Sequence, residues 1–283
     1  MERHDSTADD SGTFAQLTDS GRNARVGHDP YSALRVPAFR RYMGGNFLAI
    51  LGLQMQSAAV AWEVYDRTGA PISLALVGLV QVLPVLGLAI FAGHVADRFN
   101  RRYIIMSAVV AISACSAGLA VVSALQGPVW MIYACLFLAG IARAFQQPAK
   151  ASMMPLLMKR RDFPNAVTWN SAAFQLASVL GPALAGVIIA VFKKPAIVFV
   201  CDSSFALCFL AILTRVRYRR RNNSGPQPFN FENLAAGAKF VWNTKIILAA
   251  STLDMFGVLF GAAVALLPIY AKDVLKVGSV GFG

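Results

Sequence analysis

Four ionisable residues stand inside long apolar stretches of this 283-residue chain: Glu63, Arg143, Asp202 and Asp254. A charged side chain at the centre of a hydrocarbon layer costs roughly 2.5–3.5 kcal/mol on insertion scales, so each one calls for a partner or a task. A carboxylate withdrawn from water is favoured in its neutral form, which makes it a candidate proton carrier. Asp254 leads the set, because Gly257 and Gly261 follow it on roughly the same helical face and should turn it into the protein. It is expected either to carry protons or to pair statically with Arg143 or another buried donor. Glu63, near the outer end of its stretch, is the weaker coupling candidate, with an interfacial position as the alternative. Asp202, six residues past Ala196, has the same alternative.

Other chemistry is not written in the chain. It has no Walker A string, no GxGxxG after a strand, no HExxH and no GxSxG. His4, His28 and His94 are scattered, and Cys115, Cys135, Cys201 and Cys208 lie in apolar runs without CxxC spacing. The expectation is therefore no catalytic residues, no metal and no cofactor, with energy drawn from an ion gradient or another subunit. Asn46, Gln54, Gln56, Gln81, Asn170 and Gln175 are uncharged polar residues within the apolar runs, suited either to bonding between helices or to lining a substrate path.

The elements that must position these residues follow from composition. The chain is 57% hydrophobic and 14% charged, with mean hydropathy +0.55, which excludes an ordinary soluble domain. Its net charge of +12 does not point to nucleic acid, since the basic residues fall between apolar runs instead of on one face. Seven runs are long enough to cross a bilayer: Tyr42 to Tyr65, Ile72 to Val95, Tyr103 to Leu125, Val129 to Gln146, Ala166 to Val191, Ala196 to Leu213 and Ile246 to Ala271. A barrel would need short alternating segments, so these are helices. The fold class is all-α membrane protein.

Four segments are expected: a disordered cytoplasmic tail (1–41), a six-helix bundle (42–215), a cytoplasmic linker (216–245) and a seventh helix (246–283). Within the linker, Phe231, Leu234, Ala238 and Val241 share a face, which predicts a short amphipathic helix over Phe229 to Trp242. Of the 26 Lys and Arg, 20 fall on the side of the tail, Lys150 among them in the loop after the fourth run. Five fall on the other side, and Arg143 lies within a run. By the positive-inside rule the N-terminus is cytoplasmic.

The most specific string is GHVADRFNRR, Gly93 to Arg102, between the second and third runs. It resembles the signature of the major facilitator superfamily, with Val95 at a Leu position and Asn100 at a Gly position. Asn tolerates the left-handed conformation of a tight turn, Gly93 allows close helix approach, and Asp97, Arg98, Arg101 and Arg102 can bond neighbouring helix ends. FRRYMGGNFLAILGLQMQSAAVAWEVY from Phe39, RAFQQPAKASMMPLL from Arg143, PNAVTWN from Pro164 and GPALAG from Gly181 resemble the branch of bacterial enterobactin-exporter-like and other efflux proteins.

The resemblance implies a twelve-helix transporter of two six-helix bundles, of which this chain holds the first bundle and the start of the second. It further implies a multi-pass protein of the bacterial inner membrane. The function implied is proton-coupled efflux of a small organic molecule, with the Gly93 to Arg102 string as a conformational switch. Partners would be that molecule, protons or another coupling ion, the lipid bilayer, and a missing C-terminal half or a second copy. The alternative is a truncated, non-transporting membrane fragment or scaffold. Independently of the resemblance, Ala173, Ala177, Gly181 and Ala185 recur at every fourth position of the fifth run, with Pro182 and Gly186 beside them. That spacing predicts a helix-packing stripe.

Overall fold

A computed structural model of the chain describes residues 31–158, 161–216 and 242–261, apart from the side chains of Ile90, Asp97 and residues 258–261. Among the described residues there are seven bounded α-helices and no strand. They are α1 (Pro37–Thr68), α2 (Pro71–Arg98), α3 (Arg101–Ala124), α4 (Val129–Met153), α5 (Phe163–Phe192), α6 (Ala196–Arg215) and α7 (Lys245–Gly261). The first six are each long and apolar enough to cross a membrane. Residues 1–30 of the expected tail, the amphipathic linker helix up to Val241 and the end of the seventh run lie outside the described residues. Residues 31–41 depart from the expected disorder: a short 3-10 turn at Ala33–Arg35 leads into α1, and Ala33 and Phe39 are buried with Met43 and Ala166.

Local chemistry sets the helix ends. Pro37 and Pro71 open α1 and α2, where a missing N–H leaves nothing unpaired. Gly69, at φ 62°, closes α1 with its N–H on the Tyr65 carbonyl at 2.9 Å. Asn100 departs from the sequence expectation. At φ −67° it is not left-handed, and its side chain instead accepts from the Arg102 N–H at 3.1 Å as the N-cap of α3. Asn suits either role, and the orphan donors at the start of α3 decide between them. Lys150 also departs from expectation. Helix α4 runs on to Met153, past the end of the apolar run, and carries Lys150 out of the predicted loop into the bundle.

Packing does not follow chain order. Helix α1 lies against α5 and α6, α6 against α3, α3 against α4, and α4 against α2. Small residues make these crossings. Ala177, Gly181, Ala185 and Gly186 are buried, and a Cβ on Gly181 would collide with Gln54 of α1, so the predicted α5 stripe faces α1. Gly140 meets Pro84 at 2.6 Å and the Gln81 carbonyl at 2.9 Å in the same sense, which joins α4 to α2. Gly93 does not act this way, since a Cβ there would meet no described atom within 4 Å.

The two ends of the bundle are tied separately. At one end Arg67, one turn past its ion-pair partner Glu63, donates to the Gly127 carbonyl at 2.8 Å and so joins the α1–α2 turn to the α3–α4 turn. At the other, Arg102 donates to the Thr214 carbonyl near the end of α6. This is the helix-end bond anticipated for that arginine. Gly181→Val should lower the unfolding stability of the purified chain by about 1–3 kcal/mol, because a crossing without room must shift. Gly78→Ala, where a Cβ meets nothing within 4 Å, should change it by less than about 0.5 kcal/mol. Equal thermal shifts for the two would contradict the α1–α5 crossing.

Candidate functional site

A chain of hydrogen bonds crosses the middle of the bundle with one residue from each of five helices. Arg143 on α4 donates through Nη1 to Gln81 Oε1 on α2 and through Nη2 to Gln56 Oε1 on α1, each at 2.8 Å. Gln56 Nε2 donates to Ser116 Oγ on α3 at 3.0 Å, and Ser116 Oγ donates to Asp202 Oδ2 on α6 at 2.6 Å. Gln56, Ser116 and Asp202 are no more than 3% exposed. A guanidinium and a carboxylate are thus linked through two neutral side chains, which lowers the cost of holding both away from water.

The surroundings make this arrangement possible. A Cβ on Gly52 would lie 2.5 Å from Asp202 Oδ1, so α1 leaves the carboxylate its place by having no side chain there. On α1, α3, α4 and α6 the network lies between two apolar groups. Leu51, Met55, Leu119, Leu136 and Phe199 belong to one, and Ile105, Val109, Ala149, Met153 and Phe209 to the other. Below it, Ser113 and Ser203 join α3 to α6 through their hydroxyls at 2.9 Å. Helix α5 is tied to α1 by two further bonds, Asn46 Nδ2 to Asn170 Oδ1 at 3.2 Å and Gln54 Nε2 to Ser178 Oγ at 2.8 Å.

Beside the network lies a cavity of about 370 Å³ walled by α1, α3, α4, α5 and α6. Arg143 and Asp202 line it at one level. Lys150 lines it seven residues further along α4, about 10 Å along the axis, with its ammonium 5.1 Å from the centre of the Phe209 ring. Tyr42 lines the same end and meets Phe209 edge-on at 5.9 Å. The space is large enough for a small organic molecule and presents fixed polar groups on a mostly apolar wall.

The sequence candidates are sorted by this geometry. Arg143 is deep and fully engaged in the network. Asp202 is not at the outer interface but at the core, three per cent exposed, because α6 packs between α1 and α3. Glu63 is separated from the cavity and paired with Arg67 at the turn end of α1. Asp254 is exposed on α7, and the expected pairing with Arg143 is not formed, since Gln81 and Gln56 occupy that guanidinium. Of the signature residues, Arg98 and Arg102 lie at the α2–α3 connection, Arg101 Nε is buried without a partner among the described residues, and the Asp97 side chain is outside them. Lys150 was missed because a basic residue just past an apolar run reads as a loop charge.

These features define a multi-pass, all-α membrane protein whose helices surround a cavity of mostly apolar wall with a few charged groups. The chain belongs to the transmembrane secretion effector family of the major facilitator superfamily, whose model matches residues 28–283. It is 28% identical over 177 residues to the staphyloferrin A transporter of Staphylococcus aureus, covering 61% of this chain and 43% of that protein. It is 28% identical over 232 residues to the multidrug efflux pump Tap of Mycobacterium tuberculosis, covering 78% and 54%. With macrolide efflux protein A of Streptococcus pyogenes the identity is 26% over 163 residues, covering 56% and 40%. The chain spans about half the length of the curated relatives it matches.

The network predicts non-additive energetics. Arg143→Met and Asp202→Leu should each destabilise the purified chain by on the order of 3 kcal/mol, since each strands the opposite charge. Together they should cost less than their sum by about 1 kcal/mol or more in denaturant unfolding. Additive losses would mean that the two charges are not coupled through Gln56 and Ser116.

Proposed function

We propose that this chain supplies the N-terminal half of a proton-coupled exporter of small organic molecules in the bacterial inner membrane, with its N-terminus in the cytoplasm. The observation that carries the reading is the charged network beside the cavity, whose carboxylate, Asp202, lines the same space that a small cargo would enter. The names of the relatives, two efflux proteins and a staphyloferrin A transporter, support transport of a small molecule, and the two efflux names support its export. The basic asymmetry of 20 to 5 supports the orientation. In this reading, residues 216–245 link the bundle to a second one that starts at α7, and substrate passes between the two by alternating access.

Asp202 is the proton carrier in this account. When ionised it offsets Arg143 through Ser116 and Gln56, and when protonated it leaves that guanidinium uncompensated, which changes the charge that the bundle must hold. Lys150 is the other charged group lining the cavity and adds to the positive side in both states. The Gly93 to Arg102 string acts as a latch, with Arg102 on the α6 carbonyl as its visible contact. Arg102→Ala should therefore shift the rate of transport more than the abundance of the protein.

Asp202→Asn keeps an acceptor for Ser116 while removing the titrating group. In everted vesicles carrying the complete protein it should abolish proton-driven accumulation yet leave cargo exchange within about twofold of the parent. Loss of both modes at equal abundance, or survival of both, would contradict the carrier role. For the orientation, a lone cysteine at Gln126 should react with an impermeant reagent from outside whole cells and one at Thr214 should not.

A further inference from the structure

The cavity carries a charge imbalance that the network does not absorb. Arg143 is offset by Asp202 through Gln56 and Ser116, whereas Lys150, about 10 Å along α4, has no carboxylate within ion-pair reach among the described residues. Among the described residues its ammonium lies over the face of Phe209, which orients it without neutralising it. A net positive charge facing an enclosed, mostly apolar space attracts a counter-charge far more strongly than one in water.

The same end of the cavity holds a second unmet group. Asn46 is 4% exposed, its Nδ2 donates to Asn170, and its Oδ1 is buried without a donor among the described residues. Tyr42, on α1 one turn before Asn46, lines the wall between Asn46 and Phe209. A cation, an unfilled acceptor and aromatic side chains therefore converge on one corner from α1, α4 and α6.

We propose that this corner, formed by Lys150, Tyr42 and Asn46, is a subsite for the carboxylate of an organic anion. The inference deepens the transport reading and rests on it for the meaning of the cavity as a cargo site. Lys150 neutralises the carboxylate, the apolar wall takes the hydrocarbon, and a polar N–H or O–H of the cargo fills Asn46 Oδ1. One monoanion balances Lys150 and leaves the Arg143–Asp202 pair as it was. Proton and cargo thus occupy different levels of the cavity and are linked by the bundle's conformation, not by contest for one charge.

The test is equilibrium dialysis of the purified chain in lipid nanodiscs against three probes of matched shape: 1-naphthaleneacetate, 1-naphthaleneacetamide and 1-naphthalenemethylamine. The anion should bind about tenfold or more tightly than the neutral amide, and the amine least. Lys150→Gln should erase the preference while melting as the parent does, and Lys150→Arg should keep it. An amide that binds as tightly as the anion, an anion preference that survives in Lys150→Gln, or retention of none of the three at about millimolar concentration would each overturn the subsite. Dialysis involves no gradient, so the two readings fail separately. Anion-selective binding in a protein that moves no cargo contradicts the transport reading alone, and transport without charge preference contradicts the subsite alone.

Discussion

A guanidinium at the centre of an apolar bundle is the constraint around which the rest is arranged. Arg143 lies inside the bundle at the edge of the cavity, where no lipid group can solvate its charge. Its hydrogen bonds must come from neighbouring helices, and Gln81 and Gln56 supply them from α2 and α1. Its charge must also be offset, and Asp202 does so at one remove through Gln56 and Ser116. A direct salt bridge would fix α4 to α6, whereas the relay spreads one charge pair over five helices. Any change in the protonation of Asp202 is then felt by all of them.

Such a relay works only if the helices stay close enough for short side chains to meet. Small residues at the crossings provide this: Gly181 brings α5 onto α1, Gly140 brings α4 onto α2, and Gly52 leaves room for Asp202 itself. Apolar groups above and below then keep water from short-circuiting the network. The cavity opens where that packing ends, between the level of Asp202 and the level of Lys150. Packing and chemistry are therefore set by the same residues, and Gly52 on the neighbouring α1 decides where the Asp202 carboxylate sits.

Much of the scaffold was legible because hydrophobic length depends on the bilayer, not on long-range contacts. Six of the seven runs became spanning helices, and the Gly181 stripe faced a neighbour as its spacing implied. The site was less legible. Arg143 stood out since an arginine in an apolar run is costly wherever it points, but depth along the chain offered Asp254 as one alternative partner, and only helix neighbourhood shows Gln81 and Gln56 beside it. Asp202 looked interfacial by its distance from the start of α6, and only the wedging of α6 between α1 and α3 makes it central. Lys150 was hidden because hydropathy marks where an apolar run ends, whereas α4 continues seven residues beyond that point. Asn100 shows the same limit at a turn, where one side chain fits two backbone states and the next helix selects between them.

The central claim is that Asp202 is the carboxyl group inside the bundle whose protonation state the Arg143 network governs. Infrared difference spectroscopy of the purified chain across an acid-to-neutral titration reads it most directly, through the C=O stretch of a protonated carboxyl group shielded from water. The account predicts such a band in the parent, its persistence in Glu63→Gln, its loss in Asp202→Asn, and a shift in the pH at which it appears when Arg143 is replaced by glutamine. A band that survives Asp202→Asn, or one indifferent to Arg143, would contradict it.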